Sequence, residues 1–223
     1  MQLSYSALGT FKDCPRCFWL DRNKKICRPR GIMSSLPNGI DSLLKVKLEV
    51  FRGALPPVFS EYKQLEGFVL YAGADLLKMR NWKTNPLKMT DQKGNIIVGA
   101  FDDLLFNPST QEYAFLDYKT KGSEPDQDYC EKYYQSQLNI YTRFLELGGK
   151  KVASFGVLLY FWPIQSTTGL LDFKAKPFFL TPNPKAAEEV FKRAIECLEG
   201  PIPQASNDCN YCNHHRILTA GAF

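Results

Sequence analysis

The chain predicts an α/β fold, with a mixed central sheet flanked by helices. Three observations carry this. The turn-forming stretch Asn107-Pro-Ser-Thr-Gln111 separates two strand-like runs, 96–106 and 112–119, which predicts a β-hairpin. Residues 152–162 form a nearly continuous apolar run, as expected of a central strand buried on both faces. Residues 40–51 and the stretch after Asn183-Pro184 carry apolar side chains at helical spacing. With 223 residues, 44% of them hydrophobic and 23% charged, the chain can bury a full core and reads as one domain over 1–223.

The elements follow in order. Ser4 is a candidate N-cap for a helix over 4–11, with Tyr5, Leu8 and Phe11 on one face. Cys14-Pro-Arg-Cys17 comes next. Arg22, Lys24, Lys25, Arg28 and Arg30 then form a basic loop, read either as a solvated turn or as a phosphate-contacting surface. The helix at 40–51 has apolar residues at 40, 43, 44, 48 and 51, and Gly53-Ala-Leu-Pro-Pro57 ends it. Residues 60–93 read as irregular, with one or two strands. The hairpin follows, then a polar loop at 121–128. A helix at 133–147 is closed by Gly148-Gly149. Strands are expected at 152–162 and 170–180. The last helix buries Ala187, Val190, Phe191, Ala194, Ile195 and Leu198, and Gly200-Pro-Ile-Pro203 ends it.

The uncharged stretch 152–171 is interrupted by Pro163, Gln165, Ser166, Thr167, Thr168 and Gly169, so it reads as strand and turn, not as a membrane span. Twenty-eight basic side chains against 23 acidic ones give a net charge of +5, which permits a polyanionic partner without demanding one. Residues 1–14 lack the basic start and apolar run of a secretion signal. Seven cysteines, an odd number, argue against a closed disulfide framework. The expectation is a cytoplasmic protein whose clustered cysteines hold a metal.

Asp117-Tyr118-Lys119 ends the second hairpin strand. Strand side chains alternate, so Asp117 and Lys119 share a face. A carboxylate that holds a divalent cation beside an ammonium that orients water or stabilises charge on phosphorus suits metal-dependent hydrolysis. Asp102, on the preceding strand, is expected to meet Asp117 across the hairpin. Two facing carboxylates repel unless a cation lies between them. Asp102 and Asp103 alternate in direction, so only one enters the site. Gln137 and Tyr141 lie four apart on the next helix and share a face. Asp91-Gln-Lys93 and Asp172-Phe-Lys174 repeat the D-x-K pattern without these neighbours and are read as surface polarity.

Gly99-Ala-Phe-Asp102, Asp117-Tyr-Lys119 and Gln137-Leu-Asn-Ile-Tyr141, in that order, resemble the motifs of the PD-(D/E)xK nuclease superfamily, and within it the RecB-type nuclease domain. The opening Ser4-Tyr-Ser-Ala-Leu, Phe11 and Cys14-Pro-Arg resemble that family's first segment, so the likeness runs from residue 4 to 212. The resemblance implies a metal-dependent deoxyribonuclease with a restriction-endonuclease-like core, an exonuclease that hydrolyses phosphodiester bonds of DNA that is single-stranded or has ends. It implies Asp102, Asp117 and the Tyr118 carbonyl as ligands of Mg²⁺ or Mn²⁺, Lys119 as catalytic lysine, Gln137 as support for that lysine or for the scissile phosphate, and Tyr141 near the nucleic acid. Many relatives add a His or Glu from an early helix; here Asp41, then Glu49, are the candidates. The departure motivates the alternative of a nucleic-acid-binding module with little catalysis.

Cys14-x-x-Cys17 and Cys209-x-x-Cys212 stand at opposite ends of the chain and together offer four thiolates for Zn²⁺ or an iron–sulfur cluster. They define an expected metal module of residues 1–30 and 200–223. The resemblance includes CRISPR-associated exonucleases and helicase–nuclease subunits that join terminal cysteines at a [4Fe–4S] cluster, usually from one early and three late cysteines. The two-plus-two arrangement here is equally natural for zinc, with His214 or His215 as alternate ligands. Cys27, Cys130 and Cys197 lack partner spacing; Cys197 is assigned to the core and the other two to packed or surface positions. Repair, recombination or CRISPR adaptation, beside a helicase or integrase-type partner, is the setting the resemblance implies.

Overall fold

The computed structural model describes residues 1–29, 35–167, 169 and 171–213. The chain runs β1 (Gln2–Ser4), α1 (Tyr5–Asp13), α2 (Pro15–Trp19), α3 (Ser35–Glu49), β2 (Val69–Leu70), α4 (Leu76–Met79), β3 (Met89–Thr90), β4 (Ile96–Val98), β5 (Asp103–Asn107), β6 (Glu112–Thr120), α5 (Gln127–Leu147), β7 (Lys151–Val152), β8 (Gly156–Gln165), β9 (Leu171–Leu180) and α6 (Pro184–Glu199). It divides into two compact units. One comprises Met1–Ile32, Thr90–Val98 and Ala186–Phe223; the other comprises Met33–Met89 and Gly99–Lys185. The first is wider than the expected metal module, because it also takes in β4 and most of α6.

The larger unit is built on a mixed sheet in the order β2-β5-β6-β8-β9, with β7 also beside β6. β5 and β6 form the antiparallel hairpin, in register Asp103↔Leu116. β8 lies parallel to β6, and α5 provides the crossover that a parallel pair requires. β9 returns antiparallel to β8. β6 alternates strictly. Ala114, Leu116 and Tyr118 enter an apolar cluster with Leu48, Phe59, Leu65, Leu70, Leu105, Val157 and Leu159. Phe115 and Asp117 point the other way, and Phe115 packs its ring on Tyr141 of α5. Both faces of β6 are therefore covered, which explains the near-absence of exposed positions along it.

Several boundaries differ from the sequence expectation. The run 96–106 is two strands, not one: β4 ends at Val98 and β5 starts at Asp103. The break falls at Gly99, where a Cβ would overlap the Tyr141 ring. α5 starts at Gln127 instead of 133, because Asp126 caps it by accepting the Tyr129 N–H at 2.7 Å. α3 starts at Ser35 and exposes part of its expected apolar face. Leu48 is buried, Ile40 and Leu44 are partly buried, and Leu43 is exposed. The irregular 60–93 stretch holds β2, α4, β3 and a short 3₁₀ turn at Lys63–Leu65.

In the smaller unit β1 runs parallel to β4. Ser4 caps α1, its hydroxyl accepting the Ala7 N–H at 3.2 Å. α6 buries Ala187, Phe191, Ala194, Ile195 and Leu198 as the periodicity predicts, with Val190 partly buried. The early and late segments are tied by Trp19 Nε1 donating to the Gly200 carbonyl at 2.9 Å and Asn23 Nδ2 donating to the Leu198 carbonyl at 3.0 Å. The basic loop is not wholly irregular: Leu20–Lys24 is a π-helical turn closed by Lys25 at φ 61. Arg30, His214 and His215 lie outside the described residues. No described helix is long and apolar enough to cross a membrane.

Candidate active site

The hairpin register places Asp102 one step beyond the last ladder pair, opposite Asp117. Asp117 lies inside β6 and is 2% exposed, whereas the Asp102 side chain is 24% exposed. The Tyr118 N–H donates to Asp102 Oδ2 at 3.3 Å, anchoring the Asp102 carboxylate against the neighbouring strand. Lys119, two residues on from Asp117, sets its ammonium against Asp117 Oδ2, as the alternation predicts. Gln137, reaching down from α5, donates through Nε2 to Asp117 Oδ1 at 3.4 Å. Oδ2 is buried, with the Lys119 ammonium against it. The structure thus brings Asp102, Asp117, Lys119 and Gln137 together.

The electrostatics follow from this burial. Burial pushes the Asp117 carboxyl up to about 7; the Lys119 charge opposes the rise and the Asp102 carboxylate adds to it. Burial also acts to raise Asp102, but hydrogen bonding with Asp117 and Lys45 outweighs it and holds that carboxyl below the ordinary range. Burial works against the Lys119 ammonium, yet the Asp117 charge holds it well above the ordinary lysine value. Paired carboxylates, one buried within the sheet and one part-exposed across the hairpin, repel each other and fit a hard divalent cation between them. Lys119 also lies 4.9 Å from the ring centre of Tyr134, which keeps its ammonium over an aromatic face.

Asp103 does not enter this cluster. It is fully buried and accepts Arg52 Nη1 at 2.6 Å, Arg52 Nη2 at 2.5 Å, Arg80 Nη2 at 2.9 Å and the Tyr118 hydroxyl at 2.5 Å. Glu49 belongs to the same network, held by Arg52 at 2.7 Å and Arg80 at 2.6 Å. Hydrogen bonding from Arg52, partly offset by burial and reinforced by Arg80, lowers Glu49 to about 2. Asp41 instead pairs with Lys45 at 2.9 Å, and the same ammonium reaches Asp102 Oδ1 at 2.9 Å. Asp41 is therefore connected to the Asp102 carboxylate through Lys45, whereas Glu49 reaches only the Asp102 carbonyl, through Arg80. Sequence reasoning missed Lys45, Arg52 and Arg80. Only the Asp41/Lys45 spacing of four on one helix offered a signal.

Tyr141 is 5% exposed and packs between Phe101, at 5.1 Å, and Phe115, at 5.1 Å, beneath Gly99. From there it shapes the 99–102 segment that presents Asp102. Of the two remaining D-x-K patterns, Asp91 closes a turn by accepting the Lys93 N–H at 2.9 Å and the Asn95 N–H at 2.7 Å. Asp172 and Lys174 are exposed on β9.

In the smaller unit the two C-x-x-C pairs converge. The sulfurs of Cys14, Cys17, Cys209 and Cys212 all lie within 4.8 Å of one another, and none forms a disulfide. Cys17 Sγ is 3.5 Å from Cys209 Sγ and 3.6 Å from Cys212 Sγ; Cys14 Sγ is 3.9 Å from Cys212 Sγ. Each pair sits where a helical turn begins, with Pro15 at the first position of α2 and residues 210–213 forming the second turn. Burial raises the Cys14 thiol, but N–H groups of Cys17 and Ser206 and the neighbouring thiols outweigh it and bring it to about 6. Four convergent sulfurs with backbone N–H donors are the ligand set of a metal centre. Cys130 is buried, Cys27 is exposed and Cys197 is partly buried.

The fold is similar to that of a solved protein from Eubacterium rectale described as a "putative exonuclease". That match has a TM-score of 0.51 and 16% identity, and covers 99% of this chain and 93% of that one. No curated protein matches. The model of the PD-(D/E)XK nuclease superfamily matches residues 43–217, which include the Asp102, Asp117–Lys119 and Gln137–Tyr141 positions. Since the match takes in most of the chain and the sheet carries the motif residues in the expected order, the chain belongs to the PD-(D/E)XK nuclease superfamily.

Proposed function

We propose that the chain is a metal-dependent deoxyribonuclease acting at the Asp102–Asp117–Lys119 cluster. The observation that carries this is the pairing of a buried carboxylate with a second one across the hairpin, with the Lys119 ammonium against the inner oxygen. Asp102, Asp117 and the Tyr118 carbonyl are the proposed ligands of Mg²⁺ or Mn²⁺, which when bound would polarise the phosphate and acidify a water. Gln137 fixes Asp117 Oδ1, and the Lys119 ammonium lies against Oδ2. Lys119 remains protonated and aims N–H donors at the attacking water or at the oxygens that gain charge on phosphorus. Water adds to phosphorus, the P–O bond to the leaving sugar breaks, and the water's proton ends on the departing oxygen.

Exonucleolytic action on DNA ends, in repair, recombination or CRISPR adaptation beside a helicase or integrase-type protein, is the setting we propose from the motif resemblance. We place the chain in the cytoplasm, a reading supported by cysteines that form no disulfide among the described residues. For the four-cysteine site we propose a single tetrahedral ion, with Zn²⁺ the best fit. A metal about 2.3 Å from each thiolate sets the sulfurs about 3.8 Å apart; three of the pairs lie at 3.5–3.9 Å and all four sulfurs lie within 4.8 Å of one another. A [4Fe–4S] cluster places each thiolate on its own iron and spreads the sulfurs wider.

A second reading is a binding module with weak catalysis, favoured by one observation: the Lys45 ammonium already neutralises Asp102. The test of both is cleavage of end-labelled DNA by wild type and by Asp117→Ala and Lys119→Ala. Loss of Mg²⁺-dependent cleavage in both variants, with unchanged circular dichroism, supports the nuclease. Salt-dependent DNA binding without cleavage by wild type supports the module. Wild-type rates in either variant sink the site assignment.

A further inference from the structure

A cavity of about 970 Å³ opens beside the cysteine cluster, and its lining residues all come from the smaller unit. That volume lies at the upper end of the usual range for ligand pockets, about 300–1,000 Å³. Two guanidiniums line it. Arg28 is committed: it pairs with Asp13 at 2.5 Å and donates to Cys209 Sγ at 3.7 Å. Arg16, partly buried in the same wall, makes no ion pair or side-chain hydrogen bond among the described residues. Among the described residues no carboxylate lines the cavity.

The remaining wall has a definite chemistry. Tyr211 is 45% exposed, and the Arg28 guanidinium lies 4.7 Å from its ring centre. One ring face is thus covered by a cation and polarised by it, while the rest of the ring remains accessible. The exposed amides of Asn207 and Asn210 line the same space and can both donate and accept hydrogen bonds. A cation without an anion, a flat aromatic surface backed by a guanidinium and two amides together match a phosphate, a base face and a base edge.

We propose that this cavity is a binding site for one nucleotide of a single-stranded nucleic acid. Arg16 takes the phosphate, Tyr211 stacks the base, and Asn207 and Asn210 meet its edge. Its lining shares no residue with the carboxylate cluster, and the assignment rests on, and deepens, the reading of the chain as acting on nucleic acid. Of the basic loop, Arg28 takes part by backing the Tyr211 ring, whereas Lys24 and Lys25 are occupied elsewhere. Lys24 rests 5.9 Å from the Trp19 ring centre, and Lys25 donates to the Arg22 carbonyl at 3.2 Å.

The test is fluorescence anisotropy of a short fluorescein-labelled poly-dT strand with the purified, metal-loaded full chain, without added Mg²⁺ or Mn²⁺. Tyr211→Ala is expected to weaken binding roughly tenfold, the size of one lost base stack, and Tyr211→Trp to restore it. Arg16→Gln is expected to lower the slope of log K against log salt by about 0.7, the contribution of one single-strand phosphate contact. Metal content of each variant is measured alongside. If Tyr211→Ala loses its metal, the Arg16→Gln slope decides. Wild-type affinity and slope in the metal-loaded variants overturn the assignment. If the same variants still cleave DNA, the nuclease reading stands while this one falls. If wild type binds through Tyr211 and Arg16 but never cleaves, the converse holds.

Discussion

Adjacent aspartates in this chain have opposite tasks, and substituting them one at a time separates stability from chemistry. Asp103 is fully buried and shared by two guanidiniums and a tyrosine hydroxyl. Asp103→Asn keeps the shape and an acceptor oxygen but removes the buried anion that Arg52 and Arg80 share, leaving them the more exposed Glu49. Breaking a buried pair by removing one partner costs about 3–5 kcal/mol. Arg52 and Arg80 are 15% and 17% exposed, so water recovers part of their solvation, and the expected loss is about 3 kcal/mol. Asp102 is 24% exposed, and its partner Lys45 also has Asp41. Asp102→Asn should therefore change stability by no more than about 1 kcal/mol, while removing a proposed metal ligand. Urea unfolding followed by tryptophan fluorescence measures both, at unchanged m. A loss below about 1 kcal/mol for Asp103→Asn, or a larger loss for Asp102→Asn, refutes the division of labour between them.

Gly99→Ala should cost about 1–3 kcal/mol and depress cleavage, because its Cβ would overlap the buried Tyr141 ring and move the segment that carries Asp102; thermal melts and initial rates check this. With Asp117 raised to about 7, the folded metal-free protein holds a proton that the unfolded chain releases near pH 4, so this group's stabilisation is lost as pH rises from about 4 through 7. Mn²⁺ displaces that proton, so its apparent affinity should rise about tenfold per pH unit below 7 and level off above; calorimetric titration across pH 5.5–8.5, taken as about that range, reads it directly. Cys212→Ser should lower metal content and melting temperature together, since four thiolates join the two ends of the chain; elemental analysis beside calorimetry checks the pairing.

The parts legible in sequence were those set by local rules. Strand alternation put Asp117 and Lys119 on one side, and the Asn107–Gln111 turn fixed the register that opposes Asp102 to Asp117. C-x-x-C spacing identified the four sulfurs that converge. Helical periodicity found the buried face of α6. Other features depend on distant partners. The apolar run 96–106 hid a break because the reason for it, the Tyr141 ring over Gly99, comes from α5. Arg52 and Arg80 meet Asp103 only once the sheet has formed, and no spacing announces them. Leu43 satisfies the helical pattern of α3 yet is exposed, since periodicity marks a face without saying what covers it. The Asp126 cap lies in a polar stretch that composition alone assigns to a loop.

The central claim is that the carboxylate pair serves hydrolysis through a divalent cation. The most direct measurement is cleavage of end-labelled DNA by the wild-type chain as Mg²⁺ or Mn²⁺ is titrated from zero. The account predicts no product without added metal, saturating cleavage with it, and none from Asp117→Ala at any concentration. Product formed at an equal rate in excess chelator, or intact DNA at every concentration of both metals, would contradict it.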